Sequence, residues 1–150
     1  MTTMNSVIDF FSNKNIAVVG VSKKGTGFGY NAYQYLKTTG HSVFPVNISS
    51  DNIEGNVCYH NLNELAGRID SVLIVVPPAE SLKVVKDAVA VNIRNIWFQP
   101  GSESNEAVDY CRNNGLNVIE RQCFFMYYEP MAGFHKFHRF FHKLAGKYAK

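Results

Sequence analysis

Between residues 20 and 29 the chain places Gly20, Ser22, Lys23, Lys24, Gly25, Gly27 and Gly29, a set suited to holding an anion. Glycines let a ligand approach the backbone, Ser22 can donate its hydroxyl, and the lysines add charge. A helix that follows would present its N-terminal amides. Phosphate is the anion such a loop fits; a plain glycine-rich turn with solvated lysines is the alternative. Gly20 and Gly25 have the spacing of G-x-x-x-x-G-K-[ST], but Thr26 and Gly27 stand where that motif needs lysine and a hydroxyl. A nucleotide triphosphatase is therefore not expected, and the spacing from Gly20 also fails G-x-G-x-x-G.

The elements that must carry this loop alternate along the chain. Apolar runs at 15–21, 42–46, 71–76, 94–98 and 116–119 read as strands, the third being apolar on both faces as in a covered parallel sheet. Helical patterns at 28–39, 79–91 and 103–113 lie between them, with Gly40 and Gly115 as stops, and a short helix is expected at 62–66. Pro45 lacks a ladder donor and predicts an irregular second strand. Strand and helix in alternation predict an α/β fold, a doubly wound, Rossmann-like open parallel sheet of about five strands in the order 3-2-1-4-5. Residues 1–126 read as one domain and 127–150 as its C-terminal helical extension.

With 150 residues and a net charge of +3, the chain is long enough for one core and too mildly basic to argue for nucleic acid. Cys58, Cys111 and Cys123 form no C-x-x-C pair, which suggests neither a disulfide framework nor a zinc knuckle. The N-terminal MTTMNSVIDFF lacks the basic and long apolar parts of a signal peptide, and no apolar run approaches the roughly 20 residues of a membrane span. A cytoplasmic protein with reduced thiols is expected.

In an open α/β sheet the ligand sits outside the carboxyl ends of the strands. The segments there are Gly20-Val21-Ser22-Lys23-Lys24, Asn47-Ile48, Pro77-Pro78, Gln99-Pro100-Gly101 and Arg121-Gln122-Cys123. An NAD site wants an acid after the second strand to hold the ribose hydroxyls. Here the residue is Asn47, and the nearest acid is Asp51. An NADP site would more often bring an arginine, and none is near. An NAD(P)-binding sensor or oxidoreductase fragment stays as the alternative.

These segments resemble the small CoA-binding-domain proteins, whose fold is similar to the N-terminal domain of the succinyl-CoA synthetase α subunit. The stretches that carry the resemblance are IAVVGVS (16–22), VFPVN (43–47), GNVCYHNLNEL (55–65), DSVLIVVPP (70–78), NIWFQPGSES (95–104) and GLNVIERQC (115–123), together spanning about residues 12–126. The resemblance implies that Gly20, Val21, Ser22 and Lys23 receive the phosphates of coenzyme A. It implies that Asn47 and Ile48 meet the adenosine end. Val76, Pro77 and Pro78 would form an apolar wall, and Gln99, Pro100 and Gly101 the turn beside the pantetheine arm. The loop departs from the family in carrying Lys24, Gly25, Thr26 and Gly27 where a proline and an arginine are common; Lys24 supplies charge without a bidentate grip. The synthetase phosphohistidine lies in a second domain, so a self-contained ligase is not expected, and His41 and His60 read as surface residues.

Two features remain. Cys123, past the last strand, reads either as a thiol facing the CoA sulfur or as a small core cysteine. In a helical tail, Phe134, Phe137, Phe141 and Leu144 share one stripe, His135, His138 and His142 a second, and Lys136, Arg139, Lys143 and Lys147 a third. A zinc face, a membrane-surface helix and a docking helix are the sharper readings. The plainer one packs the phenylalanines on the domain or on a second subunit, in a homodimer or against another partner. With no acid–base pair or partnered nucleophile evident, the expected function is a module that binds CoA or acyl-CoA, alone or as a subunit of a larger acyl-CoA enzyme.

Overall fold

The computed structural model describes residues 2–127. The expectations for the tail, its histidine face included, lie outside the described residues.

Helix α1 (Met4–Ser12) leads into β1 (Asn15–Val19), followed by α2 (Phe28–Thr38) and β2 (Ser42–Val46). A small hairpin of β3 (Asn52–Ile53) and β4 (Asn56–Val57) comes next, then a 3-10 turn at Leu62–Leu65. The chain continues through β5 (Ser71–Ile74), α3 (Pro78–Ala90), β6 (Asn95–Phe98), α4 (Asn105–Asn113) and β7 (Asn117–Ile119), ending in a 3-10 turn at Phe124–Met126. The predicted strands and helices are all present, within a few residues at their ends. Helix α1 and the hairpin have no counterpart among the predicted elements. Gly40 and Gly115 follow their helices with φ of 84° and 71°, the left-handed conformation that ends a helix.

The main sheet is parallel with the order β2-β1-β5-β6-β7. Counting the five long strands alone, this is 2-1-3-4-5, and the expected 3-2-1-4-5 is corrected. Pro45 supplies a physical reason. In the expected order the second strand would be interior and need ladder donors on both sides. On an edge, a residue without an N–H is tolerated. The outer rim of β2 is instead closed by Tyr59, whose amide donates to the Pro45 carbonyl at 2.9 Å and whose carbonyl accepts from the Asn47 amide at 2.8 Å.

Alternate side chains of the sheet feed two cores, as a pleated, doubly covered strand requires. Ile16, Val18, Leu73 and Trp97 pack against α1 and α2 through Val7, Phe10, Ala32 and Leu36. Ala17, Val19, Val72 and Ile74 pack against α3, α4 and the first 3-10 turn through Val85, Ala88, Val108 and Leu65. Each large side chain buried this way stabilises the fold by roughly 1.5–3 kcal/mol relative to exposure. Trp97 also satisfies its indole N–H on the carbonyl of Gln122 at 2.9 Å. Among the described residues no helix is long and apolar enough to cross a membrane.

Candidate functional site

The connection leaving β1 turns toward β2 and the one leaving β5 turns toward β6, so a crevice opens between their carboxyl ends. A cleft of about 630 Å³ occupies it, within the range of small-molecule sites. Its floor is apolar, from Val19, Val46, Val75, Val76 and Leu62.

Gly20 is where β1 meets this cleft, and no other residue fits there. Its φ is 106°, and a Cβ would lie 2.0 Å from the carbonyl oxygen of Val75. A Cβ on Gly29 would lie 2.3 Å from the carbonyl oxygen of Gly20, so the first turn of α2 rests directly on the end of β1. Gly25 and Gly27 have φ of 71° and 90°. Backbone geometry thus accounts for all of these glycines, and their number alone carries no argument for a ligand.

The free amides carry more. The N–H groups of Gly20 and Val21 donate to the carbonyl of Val46 at 3.0 and 3.4 Å. Those of Lys24 and Gly25 donate to the hydroxyl and carbonyl of Ser22 at 3.2 and 3.3 Å. Among the described residues, the amides of Ser22, Lys23 and residues 26–30 donate to no protein group. Helix α2 starts at Gly27 without a side-chain cap and without an acid in its first turn. Its orphan N–H groups and the positive end of its dipole are thus open to an anion.

Of the expected site residues, the cleft gathers Gly20, Ser22, Asn47, Ile48, Val76 and Pro77. Ile48 stands 82% exposed at its rim. Val21 turns its side chain into the core on the α2 face, and Lys23 and Lys24 are exposed beside the cleft. Pro78 opens α3 between Pro77 and Ala79, which line the cleft, without lining it itself. Gln99, Pro100 and Gly101 stand outside the cleft. Gln99 accepts from the Phe124 amide at 3.1 Å and places Nε2 3.5 Å from the Cys123 sulfur, so it braces the segment after β7. Cys123 is half-buried there and does not line the cleft. Cys111 is inert by comparison: burial pushes its thiol up to about 12, and burial raises Cys58 as well.

Several lining residues have no counterpart in the sequence expectations. Ala79, Glu80, Lys83, Val84 and Asp87 present one face of α3, the i, i+3, i+4 spacing that a helical reading could have marked. Lys83 pairs with Asp87 at 3.1 Å. His60 also lines the cleft, with Nε2 2.9 Å from Asp51 and Nδ1 3.2 Å from Glu64. The signal for its position was Asn61 with Glu64 three residues on. Asn61 caps the 3-10 turn by accepting the Glu64 amide at 3.3 Å, and Glu64 reaches back to the His60 amide at 3.3 Å. Asp51, the acid nearest the end of β2, meets His60 through one oxygen and does not line the cleft.

A family model described as CoA binding domain matches residues 14–129. The chain is 36% identical over 125 residues to the acetate–CoA ligase [ADP-forming] II subunit alpha of Pyrococcus furiosus, covering 76% of this chain and 27% of that subunit. It thus spans about a quarter of that relative's length. Among solved structures, a conserved hypothetical protein from Pyrococcus furiosus superposes with a TM-score of 0.69 at 37% identity, over 73% of this chain and 95% of that one. The dinucleotide-forming acetyl-coenzyme A synthetase 1 of Ca. Korarchaeum cryptofilum superposes with a TM-score of 0.59 at 26% identity, over 70% of this chain and 25% of that one.

Proposed function

The chain belongs to the CoA binding domain family, and from that premise we propose that it binds coenzyme A or an acyl-CoA in the cleft at the carboxyl ends of β1, β2 and β5. The observation that carries the reading is the uncapped start of α2, seated on Gly20 beside the free amides of Ser22 and Lys23. A pyrophosphate there would accept from those amides, with Lys23 and Lys24 adding charge from the rim. Val76 and Pro77 offer flat apolar surface to the adenosine or pantetheine, and Ile48 would be covered by the ligand. Asn47 would meet the adenosine end through its backbone and one remaining N–H. Pro78, Gln99, Pro100 and Gly101 would contact only a pantetheine arm that runs out of the cleft toward β6. Val21 would contribute backbone alone.

The NAD reading is the weaker one. Asn47 at the end of β2 is an amide, and Asp51, the nearest acid, pairs Oδ1 with His60 and does not line the cleft, so the end of β2 places no carboxylate there for a ribose diol. Titration calorimetry with CoA, dephospho-CoA, NAD and NADP is the test. CoA should bind tightest, and a preference for NAD would overturn the proposal. We propose further that the chain works as a binding module, with chemistry left to a partner. The family model that the chain matches describes a CoA binding domain, which favours this second part. Co-purification of a synthetase-like chain would support it, and turnover of acyl-CoA by the isolated chain would refute it.

A further inference from the structure

Asn47 follows β2 where a ligand contact is expected, yet most of its side chain is used inside the protein. Nδ2 donates to the carbonyl of Val21 at 2.7 Å. Oδ1 accepts from the backbone amide of Ser49 at 2.8 Å and from its hydroxyl at 3.0 Å. Both lone pairs of the oxygen are taken and one N–H remains. The preceding residue, Val46, the last of β2, accepts from the amides of Gly20 and Val21 of the segment leaving β1. Two successive residues ending β2 therefore grip two successive residues leaving β1.

The bond to Val21 has a consequence beyond stability. The carbonyl of Val21 and the N–H of Ser22 belong to one planar trans peptide and point in opposite directions. Holding that carbonyl fixes the peptide plane and so fixes where the Ser22 N–H points. That N–H is among those with no acceptor in the described protein.

We propose that Asn47 is a positioning residue. By holding the Val21 carbonyl it aims the Ser22 amide at the ligand's pyrophosphate. This rests on the CoA reading of the same cleft. Aspartate at the position has no N–H to donate and would set a carboxylate oxygen against the carbonyl.

The test compares Asn47→Asp, Asn47→Ala and Ser49→Ala with the unaltered chain. It uses calorimetry with CoA and dephospho-CoA, and the amide resonances of residues 20–24 in the ligand-free protein. Both Asn47 variants should bind CoA and dephospho-CoA more weakly by the same factor, roughly three- to tenfold, the equivalent of one hydrogen bond. The Ser22 resonance should move, while those of α4 stay. Ser49→Ala, which keeps the bond to Val21, should stay within about twofold. An unmoved Ser22 resonance, or unchanged affinity in both Asn47 variants, with CoA binding intact in the unaltered chain, would overturn the role of Asn47 alone. No CoA binding by the unaltered chain would overturn the reading of the cleft and the aim of the amide with it. Asn47→Asp is close to isosteric and keeps the comparison decisive if Asn47→Ala fails to fold.

Discussion

In a parallel sheet every helix that feeds or leaves a strand starts at the carboxyl edge, and here the four starts differ. Helices α1 and α4 begin under a hydroxyl: Thr3 accepts the Ser6 amide at 3.1 Å, and Ser104 accepts the Ala107 amide at 3.1 Å. Helix α3 begins on Pro77 and Pro78, which carry no N–H, with Glu80 in its first turn. Helix α2, whose first turn rests on Gly20, has neither cap nor acid. Orphan amides are a stability loss that folded proteins ordinarily remove. Where one helix keeps all of them and each of the others gives up at least one to a hydroxyl or a proline, something outside the chain is the natural acceptor.

The strongest way to break this contrast is to push α2 off the strand. Gly20→Ala forces a Cβ into the Val75 carbonyl at a positive φ, and a loss of more than about 3 kcal/mol, or failure to fold, is expected in chemical denaturation. A subtler way is to supply the missing anion. Thr26→Glu places a carboxylate just before the start of α2. It should stabilise the ligand-free protein by about 0.5 kcal/mol while weakening CoA by roughly tenfold or more through like-charge repulsion. A gain in stability with CoA affinity unchanged would separate the helix end from the ligand.

The capped helices give the converse. Ser104→Ala should lose about 1 kcal/mol in the same denaturation experiment and leave CoA affinity unaltered. The smallest effect belongs to the hairpin. Glu54 at its tip accepts from Tyr30 and Gln34 of α2, and these bonds hold its carboxyl below the ordinary 4.5. A depressed carboxylate contributes stability that is present above its unfolded value and lost as pH falls through the folded one. Glu54→Gln should therefore melt slightly lower than the unaltered chain at neutral pH, and the gap should close below about pH 4.5. A gap that persists at pH 3 would show that packing, and not charge, ties the hairpin to α2.

What could be read in advance followed from local rules. Val72, Leu73 and Ile74 announce a strand covered on both faces, and Gly40 and Gly115 mark helix ends because few other residues accept their φ. The strand order was not local. It turns on Pro45 needing an edge, a constraint that appears only once the neighbours of β2 are known. Helix α1 was missed because Val7 and Phe10 give a short apolar signal, and its meaning depends on Trp97, whose ring meets Phe10 at 5.3 Å. In the cleft, loop residues such as Gly20, Ser22, Asn47 and Pro77 were legible from their positions after strands. His60 and the Glu80–Lys83–Asp87 face were not, because a hairpin and a crossover of unpredictable path bring them there. The glycines were read for a ligand and prove to serve the backbone, while the uncapped start of α2 emerges only from comparison with its neighbours.

The most direct measurement is a CoA titration followed through the backbone amide resonances of the folded protein. The expected result is saturable shifts concentrated at Ser22, Lys23 and residues 26–30, with Glu106 and Ala107 at the capped start of α4 unmoved. Shifts that saturate elsewhere and leave the start of α2 untouched, or no shifts in an excess of CoA, would contradict the anion site.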